Sequence, residues 1–99
     1  MGKLIRDKIP EIIKKDGQTP IIRILDNKEF LEELDKKLLE EVNEYKEDKT
    51  IEELADVLEV FLAICKEKNF SLEEVEKVRK EKRDKRGGFD KHIFWEGNK

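Results

Sequence analysis

One cysteine, one histidine and one tryptophan among 99 residues remove several kinds of chemistry at the outset. A lone Cys65 can close no intramolecular disulfide and build no thiolate metal site, so it reads as a small core residue. His92 has neither a nucleophile nor a second ligand near it in sequence, which makes it a surface side chain rather than a catalytic base. Apolar residues make up only 36% of the chain, and nowhere do they run to the roughly 18 residues that a membrane helix needs. Lys3, Arg6, Asp7 and Lys8 interrupt the opening stretch, so no leader pattern is expected there; the reading is a cytoplasmic protein without a membrane partner. There is no repeat, low-complexity tract or linker. A net charge of -3, from 25 acids against 22 bases, gives no overall positive field, and no nucleic-acid partner is expected.

What the chain has is charge, at 47% of residues, arranged on helices. Asp7 is expected to cap a short first helix with Pro10 in its opening turn and Gly17 beyond its end. Ile9, Ile12 and Ile13 would form the inner face of that helix. Asp26 with Glu29 three residues on, flanked by Leu25 and Phe30, predicts the start of a long helix running to about Lys46. Glu47, Asp48 and Lys49 then form a polar turn before Thr50 caps a second long helix that ends near Asn69. Ser71 with Glu74 starts a third, which turns basic and stops at Gly87-Gly88. Residues 19–25 and 89–95 are β-branched or alternating and read as short extended segments able to pair within the chain or across a dimer. The fold class is therefore all-α, an antiparallel helix bundle in a single domain spanning residues 1–99. The second long helix is apolar around much of its circumference, and a chain of this size buries only about two-thirds of its unfolded surface, so a homodimer or higher homo-oligomer should complete the bundle.

The candidate chemistry lies from Leu38 to Glu59. At about 100° per residue, Phe30, Leu31, Leu34, Leu38, Val42 and Tyr45 share an arc of roughly 120° on the first long helix, and Glu41 falls inside that arc. Glu44 lies at its edge and Glu40 further out. Glu53 and Asp56, three apart, border the apolar flank continued by Val60, Ala63 and Ile64. Spacing leaves two readings open. Acids on helices of so charged a chain commonly form a solvated face, and Thr50 with Glu53 can make a capping box that occupies Glu53. Alternatively, oxygen ligands without His or Cys suit a hard cation such as Mg²⁺, which binds through carboxylates together with substrate phosphates. A solvated face does not explain an acid inside the apolar arc, and Glu41 favours the metal.

Glu40-Glu41-x-x-Glu44 followed by Glu53-x-x-Asp56 resembles the EExxE and ExxD signature of the all-alpha nucleotide pyrophosphatase superfamily, the MazG-like proteins that include phosphoribosyl-ATP pyrophosphohydrolases and dimeric dUTPases. The opening KLIRDKIPEII and the late EKRDKRGGF resemble a small single-domain branch of house-cleaning pyrophosphatases of non-standard nucleotides. This resemblance implies a nucleoside triphosphate substrate hydrolysed to the monophosphate and pyrophosphate. It implies Mg²⁺, with Mn²⁺ as an alternative, held by Glu41, Glu44, Glu53 and Asp56. Glu40 would act beside Glu41 in catalysis, as a further ligand or by orienting water. Arg6, Lys8, Lys82 and Arg86 would bind the phosphates, with Gly87-Gly88-Phe89 beside them. The competing reading is a non-catalytic helical interaction module whose basic third long helix binds an acidic partner or nucleic acid.

Overall fold

The computed structural model of the chain describes residues 2–99. Its helices are α1 (Ile9–Lys15), α2 (Asn27–Asp48), α3 (Ile51–Glu67) and α4 (Leu72–Arg86). Among the described residues there is no strand, so the fold is all-α. Among the described residues no helix is long and apolar enough to cross a membrane. The chain forms two compact units, one ending at Asn69 and one spanning Phe70–Lys99, and each is described by itself.

In the first unit α2 and α3 pack along one another. Three cap residues anticipated from the sequence are in place. Asp26 Oδ1 accepts the Glu29 N–H at 2.9 Å, Thr50 Oγ1 accepts that of Glu53 at 3.3 Å, and in the second unit Ser71 Oγ accepts that of Glu74 at 3.1 Å. Each satisfies one of the orphan donors of a helix start.

Asp7 does not cap α1. Lys8 holds that position without a side-chain hydrogen bond, and Pro10, which has no N–H, occupies the first turn; with one donor fewer to satisfy, a cap is worth less there. The other end of α1 closes as a Schellman motif. Gly17, at φ +86°, donates to Lys14 O at 3.0 Å while Gln18 N–H reaches back to Ile13 O at 3.2 Å. Ile12, assigned to the inner face, is half exposed.

The first long helix also runs past Lys46. Glu47 and Asp48 remain helical because the left-handed turn falls on Lys49, at φ 53°, whose N–H still bonds to Tyr45 O. Only Lys49 and Thr50 therefore separate α2 from α3, and the two helices form a tight antiparallel hairpin. Its buried apolar side chains are Leu34, Val60 and Cys65, and Glu41 is buried with them. Fully burying a Leu or Val side chain contributes about 1.5–3 kcal/mol, so this short list makes a thin core. Ile51, Leu54, Leu58 and Phe61 of α3 remain exposed. Their spacing of three, four and three residues places them in one stripe.

The second unit is α4 with the residues after it. Apart from half-buried Val75 its side chains are exposed, and Glu76 pairs with Arg79 one turn on. Gly87, at φ +84°, terminates the helix, its N–H bonded to Arg83 O at 2.7 Å. Neither 19–25 nor 89–95 is built into a sheet. In the first segment Ile21 and Ile24 are almost fully exposed. In the second, a turn at Asp90–Lys91 and a left-handed His92, at φ 58°, interrupt the pleat that alternation would need.

Candidate metal centre

Glu41 is only 7% exposed. It comes from the middle of α2, while Glu53 and Asp56 come from the first two turns of α3, and the hairpin brings the three together. One carboxylate oxygen of each lies within 4.8 Å of the others. At that separation two full charges repel by about 3 to 4 kcal/mol at an effective dielectric of 20. Helix formation and the short turn hold the acids together against this repulsion.

Basic groups offset part of it. Lys37 Nζ lies 3.4 Å from Glu41 Oε1 and 3.1 Å from Glu40 Oε2. Arg6 Nη2 lies 2.7 Å from Asp56 Oδ1. Among the described residues nothing basic pairs with Glu53, and both Glu41 Oε2 and Glu53 Oε2 are buried with no hydrogen-bond partner. The side chain of Glu53 does not close a capping box back onto Thr50; only the Thr50 half of that motif is made.

The protonation equilibria follow the geometry. Burial pushes the Glu41 carboxyl above the ordinary carboxylate range, the neighbouring Lys37 ammonium opposes the shift, and the charges of Glu44 and Asp56 add to it. Burial likewise raises Glu53, with Glu44, Asp48, Asp56 and Glu41 contributing. Glu40 goes the other way, held low by its hydrogen bond from Lys37. For Lys37 burial works against the charge, but the hydrogen bond to Glu40 and the nearby Glu41 carboxylate keep its ammonium above its usual value.

The acids anticipated from the sequence thus separate into three environments. Glu41, Glu53 and Asp56 converge. Glu44 is exposed at the rim, close enough to repel Glu41 and Glu53 but outside the group of three. Glu40 faces away, with Oε1 on Lys3 at 3.4 Å and Oε2 on Lys37. Arg6 and Lys8 line a cleft of about 730 Å³ that includes Ile5, Phe30, Lys37, Glu41 and Asp56. Lys82 and Arg86 are exposed on the last turns of α4, in the second unit.

Two participants escaped the sequence. Lys3 carries no signal, since nothing local ties it to Glu40. Lys37 does carry one: it stands about 20° from Phe30 on the same helical wheel, just outside the apolar arc, and one turn before Glu41.

The donor set fits a hard divalent cation. It offers carboxylate oxygens only, two of them buried and unpartnered, where a dication would supply the missing positive charge. Comparison with known proteins bears on what such a cation would serve. The model of the MazG nucleotide pyrophosphohydrolase domain matches residues 26–94. An uncharacterized protein of Mycolicibacterium smegmatis (strain ATCC 700084 / mc(2)155) is 52% identical over 44 residues, covering 44% of this chain and 45% of that protein. The chain thus spans under half the length of that relative. No solved structure matches.

Proposed function

Because the chain belongs to the MazG nucleotide pyrophosphohydrolase family, we propose that it hydrolyses a nucleoside triphosphate to the monophosphate and pyrophosphate with Mg²⁺, with Mn²⁺ as a substitute, in the house-cleaning of non-standard nucleotides. The observation that carries the metal assignment is the pair of buried, unpartnered oxygens, Glu41 Oε2 and Glu53 Oε2. Two orphaned acceptors within one acid cluster are an unfavourable arrangement that a cation relieves.

Glu41, Glu53 and Asp56 hold the metal, and Glu44, one turn from Glu41 at the rim, completes the set. A divalent cation held there would supply charge neutralisation for the triphosphate and would ease deprotonation of the attacking water. The oxygen of water bonds to the α-phosphorus, the bond from that phosphorus to the bridging oxygen of the leaving pyrophosphate breaks, and the proton shed by the water passes to solvent. Arg6 and Lys8, on the wall of the cleft beside Asp56, bind phosphate oxygens. Glu40, both of whose oxygens are engaged by lysines, supports the α2 side of the site. The exposed stripe of α3 is the contact of a homodimer.

The deciding experiment is ³¹P NMR of a turnover mixture over normal, deoxy, oxidised and deaminated triphosphates, with and without Mg²⁺. Monophosphate and pyrophosphate are expected. Orthophosphate with a diphosphate would overturn the regiochemistry. Release of neither product would return the chain to the class of helical interaction modules.

A further inference from the structure

The metal-binding reading of Glu41, Glu53 and Asp56 is the basis for a role for Lys37, which the chemistry above does not use. Its side chain is 16% exposed and bridges two consecutive acids, Glu40 through Oε2 and Glu41 through Oε1. Glu40 is fixed in turn from its other oxygen by Lys3, at 3.4 Å. The chain of contacts Lys3, Glu40, Lys37, Glu41 therefore ends on one oxygen of Glu41. The other, Oε2, is buried and without a partner.

We propose that Lys37 is a positioning residue that restricts Glu41 to coordination through a single oxygen and so biases the acid cluster toward Mg²⁺ and against Ca²⁺. For Glu41 to chelate an ion with both oxygens, the ammonium would have to leave Oε1, and the ion would approach that ammonium as a second positive charge. Ca²⁺ gains most from chelation. It takes about 6–8 oxygens in loose geometry, commonly with a bidentate carboxylate, at roughly 2.3–2.6 Å. Mg²⁺ takes single oxygens near octahedral angles at about 2.0–2.1 Å and keeps several waters. An obstacle on one oxygen thus handicaps Ca²⁺ and leaves Mg²⁺ almost untouched.

Two simpler roles make different predictions. A lysine that only neutralises charge changes the affinity of both cations by the same factor. One that only supports the helix changes melting temperature and neither affinity.

The test is calorimetric titration of the full chain with MgCl₂ and with CaCl₂, in the wild type, Lys37→Met and Lys37→Arg. Lys37→Met should tighten Ca²⁺ relative to Mg²⁺ by about tenfold, whereas Lys37→Arg, which keeps a cationic donor for Oε1, should leave the ratio within about threefold of the wild type. Glu40→Gln, which slackens the anchor of Lys37 without touching Glu41, should move the ratio in the same direction by a smaller factor, and it carries the test if Lys37→Met does not fold. Equal changes for both cations, or an unchanged ratio, overturn the role of Lys37 while leaving the metal site standing. A wild type that binds neither cation overturns the metal site, and this role with it.

Discussion

Arg6 and Asp56 meet across 50 positions of sequence, with Nη2 2.7 Å from Oδ1. The pair joins the segment before α1 to the first turns of α3 and sets a guanidinium at the edge of the acid cluster. Its two side chains are 57% and 38% exposed, so as a structural contact it is worth about 1 kcal/mol or less. Its larger effect should be on phosphate. Arg6→Ala is expected to move the urea midpoint only slightly and to raise KM for triphosphate at least about fivefold, near 1 kcal/mol. An unchanged KM with a large loss of stability would make Arg6 a purely structural clamp.

Glu41→Gln should abolish turnover and raise the melting temperature of the metal-free protein, because it removes a buried charge that repels Glu44 and Asp56. The pH dependence has a definite sign. The Glu41 carboxyl is raised above 4.5 in the folded chain, so its contribution to stability is greatest at low pH. That contribution is lost as pH rises through the folded value, because the unfolded chain ionises first. The advantage of the Gln variant should therefore be small at pH 4 and grow toward pH 7. Melting curves of both proteins across that range, in EDTA, check it; an advantage that shrinks with pH would contradict burial as the cause.

Mg²⁺ should stabilise the wild type by binding the native state, and the stabilisation should rise with concentration. In Glu41→Gln the same titration should be nearly flat, and in Glu40→Gln close to wild type, since Glu40 Oε1 and Oε2 are held by Lys3 and Lys37. Thermal scans against MgCl₂ measure this. An equal response in all three proteins would place the ion elsewhere.

Replacing Lys82 and Arg86 together by Ala should raise KM for triphosphate more than it affects folding. The expected fall in melting temperature is below about 5 °C, the shift produced by 1 kcal/mol or less in a domain of this size. A KM within about twofold of wild type, only about 0.4 kcal/mol, would leave the end of α4 as an ordinary solvated helix terminus.

The stripe Ile51, Leu54, Leu58 and Phe61 predicts assembly. Leu58 is 54% exposed, and a charge at its position would be desolvated in any interface that covers it. Light scattering should give at least a dimer for the wild type at micromolar concentration and a smaller species for Leu58→Glu. An interface above roughly 1,000 Å² is expected for a stable pair. A folded wild-type monomer under those conditions refutes the prediction.

The parts legible in the sequence were those written in local chemistry. Asp26, Thr50 and Ser71 announce their helices because a cap acts on an N–H three residues away. Glu41 stood out because a helical wheel needs only the period of the helix, and its burial follows from that arc. Asp7 misled because the cap rule ignores what Pro10 has already removed from the first turn. The extended segments misled because a strand exists only with a partner, which alternation along 19–25 or 89–95 does not specify. Lys3 and the Arg6–Asp56 pair were invisible for a related reason: both depend on where the chain returns in space.

The Lys49–Thr50 corner has a mechanical consequence. With a rise of about 1.5 Å per residue, Glu53 and Asp56 lie within about 10 Å of that corner along α3, and Glu41 about 12 Å from it along α2. The two helices have the geometry of the arms of a pair of compasses, with the carboxylates in the inner third or so of each arm. A small swing at the far tips, near Asn27 and Glu67, moves those tips by a distance that shrinks in proportion toward the corner. In such a swing the outer part of the cleft, around Phe30, changes width by about twice as much as the spacing of the acids. One hairpin thus gives the mouth of the cleft more freedom than the acid cluster.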